Sequence, residues 1–395
     1  MYRNFDKQNN SFFRIVSFIF FLMSFVKVFT LLGDVNNEYL ELANTSFDYL
    51  KIILVLVLSI NILINISNYQ VGKFLLFIVW FILLSLYELV VGRYIDFALI
   101  LLISFGVTSN VKSILKAILY GLLLGVFVEI IGVNTNVIEN GIGGARFGET
   151  IRYNYGFYGL MIFGRIIRVI AMCHVLSYSK PKLTHMIAVI GLSLFAFLQT
   201  GTRSEFYIVI LIYAISIIYR LFNLDVFNKY IYIIGSFLLW ILPVLSIIFG
   251  KLYEKIPMLV NLNQFSTGRF QYSSWLWNTL SPKLLGNRDF KFSNGLHPGD
   301  VGYFYNFVDN GWDQLLLIQG IVSTLIVLII IQYFLYILFK KRCFIELVFM
   351  LIIIILFTFS QSIMFDIILN PMLIELAIVW RGKKVNHGKG YFCTG

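Results

Sequence analysis

Long apolar runs separated by short polar segments dominate the hydropathy pattern of this chain. Most runs hold about 18 or more residues, which is enough for a helix to cross the hydrocarbon core of a bilayer. The first run starts near Phe12 and lacks a convincing small-residue cleavage site after it, so we interpret it as a span and not as a signal peptide. The pattern predicts about twelve spans, near residues 12–32, 50–67, 74–91, 95–108, 115–133, 157–178, 184–199, 204–219, 230–249, 313–339, 343–361 and 364–380.

The fourth, seventh and last of these spans are short enough to be tilted or re-entrant. Residues 250–312 form the only long polar segment between the apolar runs. No repeat of fixed period is visible, and there is no matching pair of Gly/Pro-broken spans of the kind that indicates a transporter. We therefore expect an all-α integral membrane protein, a single polytopic domain over residues 1–395 with residues 250–312 as one large outer loop.

Composition narrows the class of protein further. Only 13% of the residues are charged, compared with about 25% in soluble domains, which again indicates an integral membrane protein. The net charge of +11 comes mostly from short loops between spans, where basic residues orient the helices. We therefore expect membrane lipid, and no nucleic acid, as a partner.

Charge alternates from loop to loop. One set of loops is basic and nearly free of acidic residues, and the positive-inside rule places that set, together with both termini, in the cytoplasm. Residues 134–156, 200–203 and 250–312 then fall on the outer face. The basic set includes Lys73, Lys112, Lys116, Lys180, Lys182, Arg220, Lys229, Lys340, Lys341 and Arg342.

Known catalytic signatures of soluble enzymes are missing from the sequence. There is no phosphate-binding GxxxxGK[ST] loop, no HExxH zinc helix and no GxSxG nucleophile elbow. The four histidines also lack metal-ligand spacing. We therefore expect neither a metal nor a cofactor.

Two short outer segments carry candidate site residues. Gly141–Gly156 is rich in glycine and holds Arg146, Arg152 and Asn154, and guanidinium groups match phosphate oxygens in pairs. Arg203 follows Thr200-Gly201-Thr202 in a tight turn at the mouth of a helix. The alternative for these arginines is anchoring at lipid headgroups, with Glu205 as a local partner of Arg203.

Arg165 and Arg168 lie three residues apart within the sixth span, and so on one face of a helix. A charge at the centre of a bilayer costs roughly 2.5–3.5 kcal/mol, so such residues usually face a bundle interior or a watery cavity. They are candidate ligands for a lipid phosphate. The alternative is pairing with an acidic residue that also lies in a span, namely Glu88, Glu129, Glu346, Asp366 or Glu375.

The long loop supplies the third group of candidates, which are Arg269, Arg288, His297 and Asp309. Trp275 and Trp277 lie just after Arg269, and they could stack on sugar rings. We favour the interpretation that these tryptophans anchor an amphipathic segment at the membrane interface.

Taken in order, these pieces resemble the bacterial oligosaccharide repeat-unit polymerases, the O-antigen or capsule polymerases, which are related to the O-antigen ligases. The resemblance spans residues 141–323 and depends on the ordered set. The matching pieces are Arg146 with Asn154 and Gly156, Thr200-Gly201-Thr202-Arg203, Thr267-Gly268-Arg269 with Trp275 and Leu285-Gly286, and Asp309-Asn310 with Gly320 and Ser323.

The resemblance implies an all-helical glycosyltransferase of the bacterial inner membrane that needs no metal. It transfers a glycan chain from undecaprenyl diphosphate onto the next lipid-linked repeat unit, and a chain-length regulator is a candidate partner. The implied catalytic residues are Asp309, His297 and Arg269. Arg146, Arg203 and Arg269 match the arginines of the family, which stabilise the diphosphate leaving group. Together with the candidates found above, the predicted diphosphate ligands are Arg146, Arg152, Arg203, Arg269 and Arg288, with Arg165, Arg168, Asn154 and Asn310 as a secondary group.

The ligases commonly have histidine where this chain has Asp309, and that departure favours the polymerase. Asp309 or His297 would take the proton from the acceptor hydroxyl, since partial burial can raise a carboxyl pKa. Alternatively, Asp309 caps the helix that follows it. An O-antigen ligase remains an alternative function, and a flippase for lipid-linked oligosaccharide is an alternative from a different class.

Overall fold

The computed structural model describes most of the chain. The residues outside the description are 1, 34–36, 67–68, 92–95, 108–110, 142–151, 179–180, 223, 266–268, 288–289, 291–309, 359–363 and 381–395. The helices are α1 (Tyr2–Phe29), α2 (Asn37–Ile64), α3 (Val71–Val91), α4 (Phe97–Gly106), α5 (Val111–Asn134), α6 (Leu160–Ser177), α7 (Leu183–Thr200), α8 (Arg203–Leu221), α9 (Asn228–Leu252), α10 (Pro257–Phe265), α11 (Arg269–Thr279), α12 (Gly311–Asp313), α13 (Ile321–Lys340), α14 (Phe344–Phe357) and α15 (Met372–Glu375).

Nine helices in the described part of the chain are long and apolar enough to cross a membrane, namely α1–α3, α5–α9 and α13. The prediction of an all-helical, multi-pass membrane protein is confirmed. Two further predicted spans correspond to the shorter apolar helices α4 and α14. Residues 364–380, predicted as the last span, contain α15 and the 3-10 turn Leu376–Val379 and not one continuous helix. The total of twelve spans stays a prediction.

The chain folds as two compact units. Unit 1 contains residues 1–79, 99–224 and 367–395, and unit 2 contains residues 80–98 and 225–366. Unit 1 therefore holds α1, α2, α5–α8 and α15, whereas unit 2 holds α9–α14.

Close packing of α1 on α5 depends on two small residues of unit 1. Gly121 and Gly125 are four residues apart, so they share one face of α5. A Cβ atom added at Gly121 would lie 2.3 Å from the carbonyl oxygen of Phe21, and one added at Gly125 would lie 2.6 Å from Val28 Cγ2. Such small-xxx-small spacing lets the backbones of two membrane helices approach closely.

Helix α6 is the central helix of unit 1, with 83% of its length buried. The basic loops meet at its C-terminal end. Arg220 at the end of α8 donates to the carbonyl oxygen of Pro181 at 3.2 Å, and Lys116 lies 4.7 Å from the ring centre of Tyr178. This arrangement agrees with the alternating charge of the loops. The turn between α7 and α8 lies at the opposite end of these two helices.

In unit 2, part of the predicted long loop is folded as α10 and α11, and α11 packs on α9. Past α11, residues 280–287 cross the chain that leads into α13. Asn287 N–H donates to the carbonyl oxygen of Leu317 at 3.2 Å, and Val322 N–H donates to that of Leu284 at 3.2 Å.

The crossing requires glycine at two positions. Gly286 and Gly320 both have positive φ, at +79° and +97°, a region that L-residues with a Cβ rarely enter. A Cβ at Gly286 would lie 1.9 Å from the carbonyl oxygen of Ile318, and one at Gly320 would lie 2.4 Å from the backbone nitrogen of Gly286. The two glycines therefore allow direct contact between the two backbones.

Replacing Gly121 with alanine should destabilise unit 1 by about 1–3 kcal/mol, because the added methyl group overpacks the α1–α5 contact. The matched control is Gly191→Ala in α7, where an added Cβ meets no atom of the described residues within 4 Å. That control should be neutral or stabilising by up to about 1 kcal/mol, since alanine is the better helix former. Thermal unfolding in detergent measures both, and equal effects of the two substitutions would contradict the packing argument.

Candidate functional site

The centre of the polar site in unit 1 is an ion pair between α6 and α8. Arg168 Nη1 lies 2.7 Å from Glu205 Oε2, and the exposed fractions of the two residues are 1% and 3%. The sequence suggested Glu205 as a local partner of Arg203, and it offered five other acids as partners for Arg168. Glu205 is the partner of Arg168, and this pair fixes α6 against α8.

Arg165 shares the same carboxylate. Its Nε lies 3.9 Å from Glu205 Oε1, and its side chain is 14% exposed. Among the described residues, neither Arg165 Nε nor Arg168 Nη2 has a hydrogen-bond partner. Two guanidinium groups therefore share one carboxylate, and one buried nitrogen of each lacks a hydrogen bond within the described part of the chain.

The turn between α7 and α8 lies against this pair. Thr202 is close to Gly164 of α6, which also packs against the Glu205 side chain. Thr202 shares a 2.7 Å hydrogen bond with Thr200 through their hydroxyl groups. Its side chain does not cap α8. The first backbone N–H groups of α8 therefore lack a cap from this residue, at a position where helices bind anions well.

Gly201 brings Arg152 to the same turn. Gly201 has a φ of +68° and ends α7 in the left-handed conformation. A Cβ at this position would lie 2.6 Å from Arg152 Cδ, so the Arg152 side chain packs directly on the glycine. Two of the predicted outer segments, the one with Arg152 and the one with Arg203, are thus brought together. Arg203 is the first residue of α8, and it is exposed.

We name Arg152, Arg165, Arg168, Arg203 and Glu205 the arginine cluster. Its described members carry four guanidinium groups and one carboxylate. Such an excess of positive charge at the end of apolar helices suits a multiply charged anion.

Asn154 stabilises the backbone of the segment that carries Arg152. Its N–H donates to the carbonyl oxygen of Gly141 at 3.0 Å, and its side chain packs against that glycine. Two residues further on, Gly156 accepts a hydrogen bond from Gly33 N–H at 2.8 Å, and the Leu32–Phe157 bridge lies alongside. Asn154 therefore shapes the turn that presents Arg152.

The polar site of unit 2 is centred on Asp313, which is fully buried. Its carboxylate accepts hydrogen bonds from Ser246 Oγ of α9, from Ser273 Oγ of α11 at 2.5 Å and from Trp277 Nε1 of α11 at 2.8 Å. Asn310 Nδ2 donates to Ser246 Oγ at 2.8 Å. We name these five residues the aspartate network.

Asn310 is the N-cap of α12. Its side-chain oxygen accepts from Trp312 N–H at 3.0 Å. Asn310, which directly follows Asp309 in the sequence, thus fills the N-cap position of α12. Asp309 itself lies outside the described residues.

Arg269, the predicted catalytic arginine of the long loop, is the first residue of α11 and is partly buried. Ser273 and Trp277 follow it at intervals of four residues, which places all three on one face of the helix. Arg269 is therefore one turn away from the aspartate network. Trp277 is 6% exposed and hydrogen-bonded, so the interfacial anchoring predicted for it is wrong, whereas Trp275 is 40% exposed.

The remaining predicted site residues lie outside the described part of the chain. They are Arg146, Arg288, His297 and Asp309. Among the described residues, no group of three or more His, Cys, Asp or Glu side chains is placed to hold a metal ion.

Sequence reasoning missed Asp313 as a site residue. It lies one residue after Trp312, at the start of an apolar run, and was counted as the edge of a span. The structure starts the span at Ile321, and a π-helical turn over Gln314–Gln319 precedes it. The sequence does offer one signal for Asp313 as a site residue: it begins an apolar run and follows another acid, Asp309, by four residues.

The sequence suggests Glu129 only as an alternative partner for the arginines of α6. It is fully buried near the end of α5, and neither carboxyl oxygen has a hydrogen-bond partner among the described residues. Gly156 approaches it closely, since a Cβ there would lie 2.9 Å from Glu129 Oε1. This contact places Glu129 beside the segment that carries Arg152.

Comparison of the chain with protein-family models, with curated proteins and with solved structures gives no match in any of the three.

Removing either partner of the Arg168–Glu205 pair should destabilise the protein by about 3–5 kcal/mol, because an uncompensated charge stays buried. The double variant Arg168→Met/Glu205→Leu should lose clearly less than the sum of the single variants. Arg165→Met, whose group is 3.9 Å from the carboxylate, should couple more weakly to Glu205. Unfolding in detergent measures this cycle, and additive single effects would contradict the pairing.

Burial raises the pKa of Asp313 to about 6 from its ordinary 3.8, and its three hydrogen bonds oppose that rise. The folded state thus binds a proton more tightly than the unfolded chain does. Wild-type stability relative to Asp313→Asn should be highest below pH 4, fall as the pH rises through about 6, and stay low above it. The total change is on the order of 3 kcal/mol. Thermal unfolding of both proteins between pH 4 and 8 tests this, and a flat difference would contradict it.

Proposed function

We propose that the protein is an O-antigen or capsule polysaccharide polymerase of the bacterial inner membrane. In the reaction, a hydroxyl of the next lipid-linked repeat unit attacks the anomeric carbon of the growing glycan chain. A new glycosidic C–O bond forms, and the bond from that carbon to the diphosphate oxygen breaks. Undecaprenyl diphosphate leaves, and a protein base takes the hydroxyl proton.

The arginine cluster is the observation that carries this proposal. Inside apolar surroundings, a buried donor without an acceptor is costly, and α6 holds two such nitrogens on Arg165 and Arg168. One carboxylate cannot neutralise both guanidinium groups. A diphosphate offers the additional negative charge and the acceptor oxygens that the cluster lacks.

The surroundings of the cluster suit a lipid-linked diphosphate better than a free anion. Arg203 begins α8 and Arg152 packs on Gly201 at the end of α7, so the diphosphate of a lipid carrier that stays in the bilayer can reach these arginines. Arg165, Arg152 and Arg203 are the proposed direct ligands. Arg168 is nearly completely buried and paired, and we assign it the role of holding Glu205 and orienting Arg165.

The chemistry then requires positive charge where the leaving group develops negative charge. Preorganised donors of this kind are worth several kcal/mol of barrier height. Arg146, Arg269 and Arg288 keep the diphosphate-binding roles predicted for them from the sequence. Asp309 or His297 serves as the base for the acceptor hydroxyl.

The proposed orientation has both termini in the cytoplasm and the arginine cluster on the outer face. It is supported by the contacts of Lys116 with Tyr178 and of Arg220 with Pro181 at one end of unit 1. The turn at Gly201, beside Arg152, lies at the other end of α7 and α8. Basic side chains collect on the cytoplasmic side of membrane proteins.

In cells, Arg152→Ala and Arg269→Ala should each abolish long glycan ladders while the protein level in the membrane stays normal. Losing one such charge costs about 10²–10³ in rate. Lys182→Ala, an exposed basic residue in the 178–182 loop, is the control and should give normal ladders. Gel analysis of surface polysaccharide reads the result, and normal ladders from Arg269→Ala would remove that residue from the site.

Purified protein in detergent provides the direct assay. The substrate is the lipid-linked repeat unit that accumulates in a strain lacking this gene, and the expected product is a ladder of elongated lipid-linked glycans. Transfer to lipid A-core in place of elongation would indicate a ligase. Translocation across proteoliposomes without any new glycosidic bond would indicate a flippase, and either result overturns the polymerase.

A further inference from the structure

We infer that Asp313 is a positioning residue that fixes the rotation of α11 and, through it, the direction of the Arg269 side chain. This inference rests on the proposed function, in which Arg269 binds the diphosphate.

The Asp313 carboxylate binds one helix to two others. It accepts from Ser246 of α9 through one oxygen, which also accepts from Trp277 Nε1, and from Ser273 through the other. Two of its three donors belong to α11. A buried carboxylate without donors is very costly, so α11 is held in the rotation that supplies both of them.

The helix face in question is the one that carries Arg269. Ser273 and Trp277 follow Arg269 by one and two turns, because four residues make slightly more than one turn. A rotation of α11 that removed Ser273 from Asp313 would turn Arg269 by the same angle. Apolar contacts in the cluster of Leu276, Trp277, Leu317 and Ile318 are non-directional, so the hydrogen bonds define the angle.

The support under Asp313 is fixed by close backbone and ring contacts. Gly311 of the same helix packs against the Phe357 ring, where a Cβ would lie 2.4 Å from Cε2. Trp277 lies on Gly250 of α9, where a Cβ would lie 2.1 Å from Cδ1. Either glycine, if enlarged, would push the ring away, and so both rings are held in place.

A positioning role also explains why an ionisable carboxyl group is buried at position 313. A neutral residue of similar shape would fill the position without the desolvation cost that raises the pKa of Asp313. A carboxylate, however, accepts from several donors at once and forms short, directional bonds. Accurate placement is valuable in catalysis, since a displacement of about 1 Å can lower a rate about 10²-fold.

The kinetic test compares two buried serines of α11. Ser273→Ala should lower kcat about ten-fold with KM little changed, because the helix still folds but Arg269 is less well aimed. Ser274→Ala, buried at 3% exposure but outside the aspartate network, should stay within about two-fold of wild type. Asp313→Asn keeps the shape of the side chain and some of its hydrogen bonds, so its kcat should lie between those of Ser273→Ala and Asp313→Ala.

Testing Ser273→Ala in both wild-type and Arg269→Lys protein distinguishes an effect on the position of Arg269 from an effect on overall stability. When Ser273→Ala is added to Arg269→Lys protein, kcat should fall by less than about two-fold, because the guanidinium group that Ser273 helps to position is already gone. An equal fold-loss in both backgrounds would show that Asp313 and Ser273 act only on stability, and would overturn the inference.

Hydrogen–deuterium exchange of the intact protein gives a readout that does not need activity. Ser273→Ala and Asp313→Asn should speed exchange in residues 269–279, and Ser274→Ala should not. Unchanged exchange in all three variants would overturn the inference, even in an active enzyme. If wild-type protein elongates no glycan, the proposed function fails, while faster exchange would still show that Asp313 holds α11.

Discussion

The ion pairing of Glu205 with two arginines is the interaction on which the polar site of unit 1 depends. In apolar surroundings, charges persist only when they are paired or when a ligand pairs them. Glu205 satisfies Arg168 well and Arg165 only in part. The pair thus keeps α6 and α8 together, and it leaves a guanidinium group with unused donors beside the Thr200–Thr202 turn.

The same constraint acts in a different form in unit 2. Asp313 has no cation within its described hydrogen-bond set, and hydroxyl and indole donors satisfy it instead. The donors come from α9 and α11, so a stretch of the long polar segment becomes a fixed helix. Its first residue, Arg269, is consequently presented from a rigid element and not from a free loop, which suits a binding role.

Sequence patterns predicted the membrane class and most of the helices, because hydropathy is a local property that reflects transfer into lipid. They also identified Gly201 and Arg203, since a glycine between two apolar runs indicates a sharp turn. The partner of Arg168 could not be predicted in this way. Which acid meets a given arginine depends on helix rotation and neighbour choice, and five other acids were equally plausible from hydropathy alone.

Asp313 is a second residue whose role could not be predicted from the hydropathy pattern. Its burial depends on the fold of α11, which a hydropathy profile treats as an undifferentiated polar loop. The contact between Gly286 and Gly320 is similar: the sequence marks both as glycines, but only the three-dimensional structure shows that each makes room for the backbone of the other. Long-range contacts of this type are invisible to local patterns.

Binding of the lipid carrier to the purified protein tests the central claim most directly. Native mass spectrometry can compare undecaprenyl diphosphate with uncharged undecaprenol, in wild type and in Arg165→Ala. The account predicts that wild type retains the diphosphate at least about ten-fold more strongly than the alcohol, and that Arg165→Ala loses this preference. Equal retention of both lipids by wild type, or an unchanged preference in Arg165→Ala, would contradict a diphosphate site at the arginine cluster.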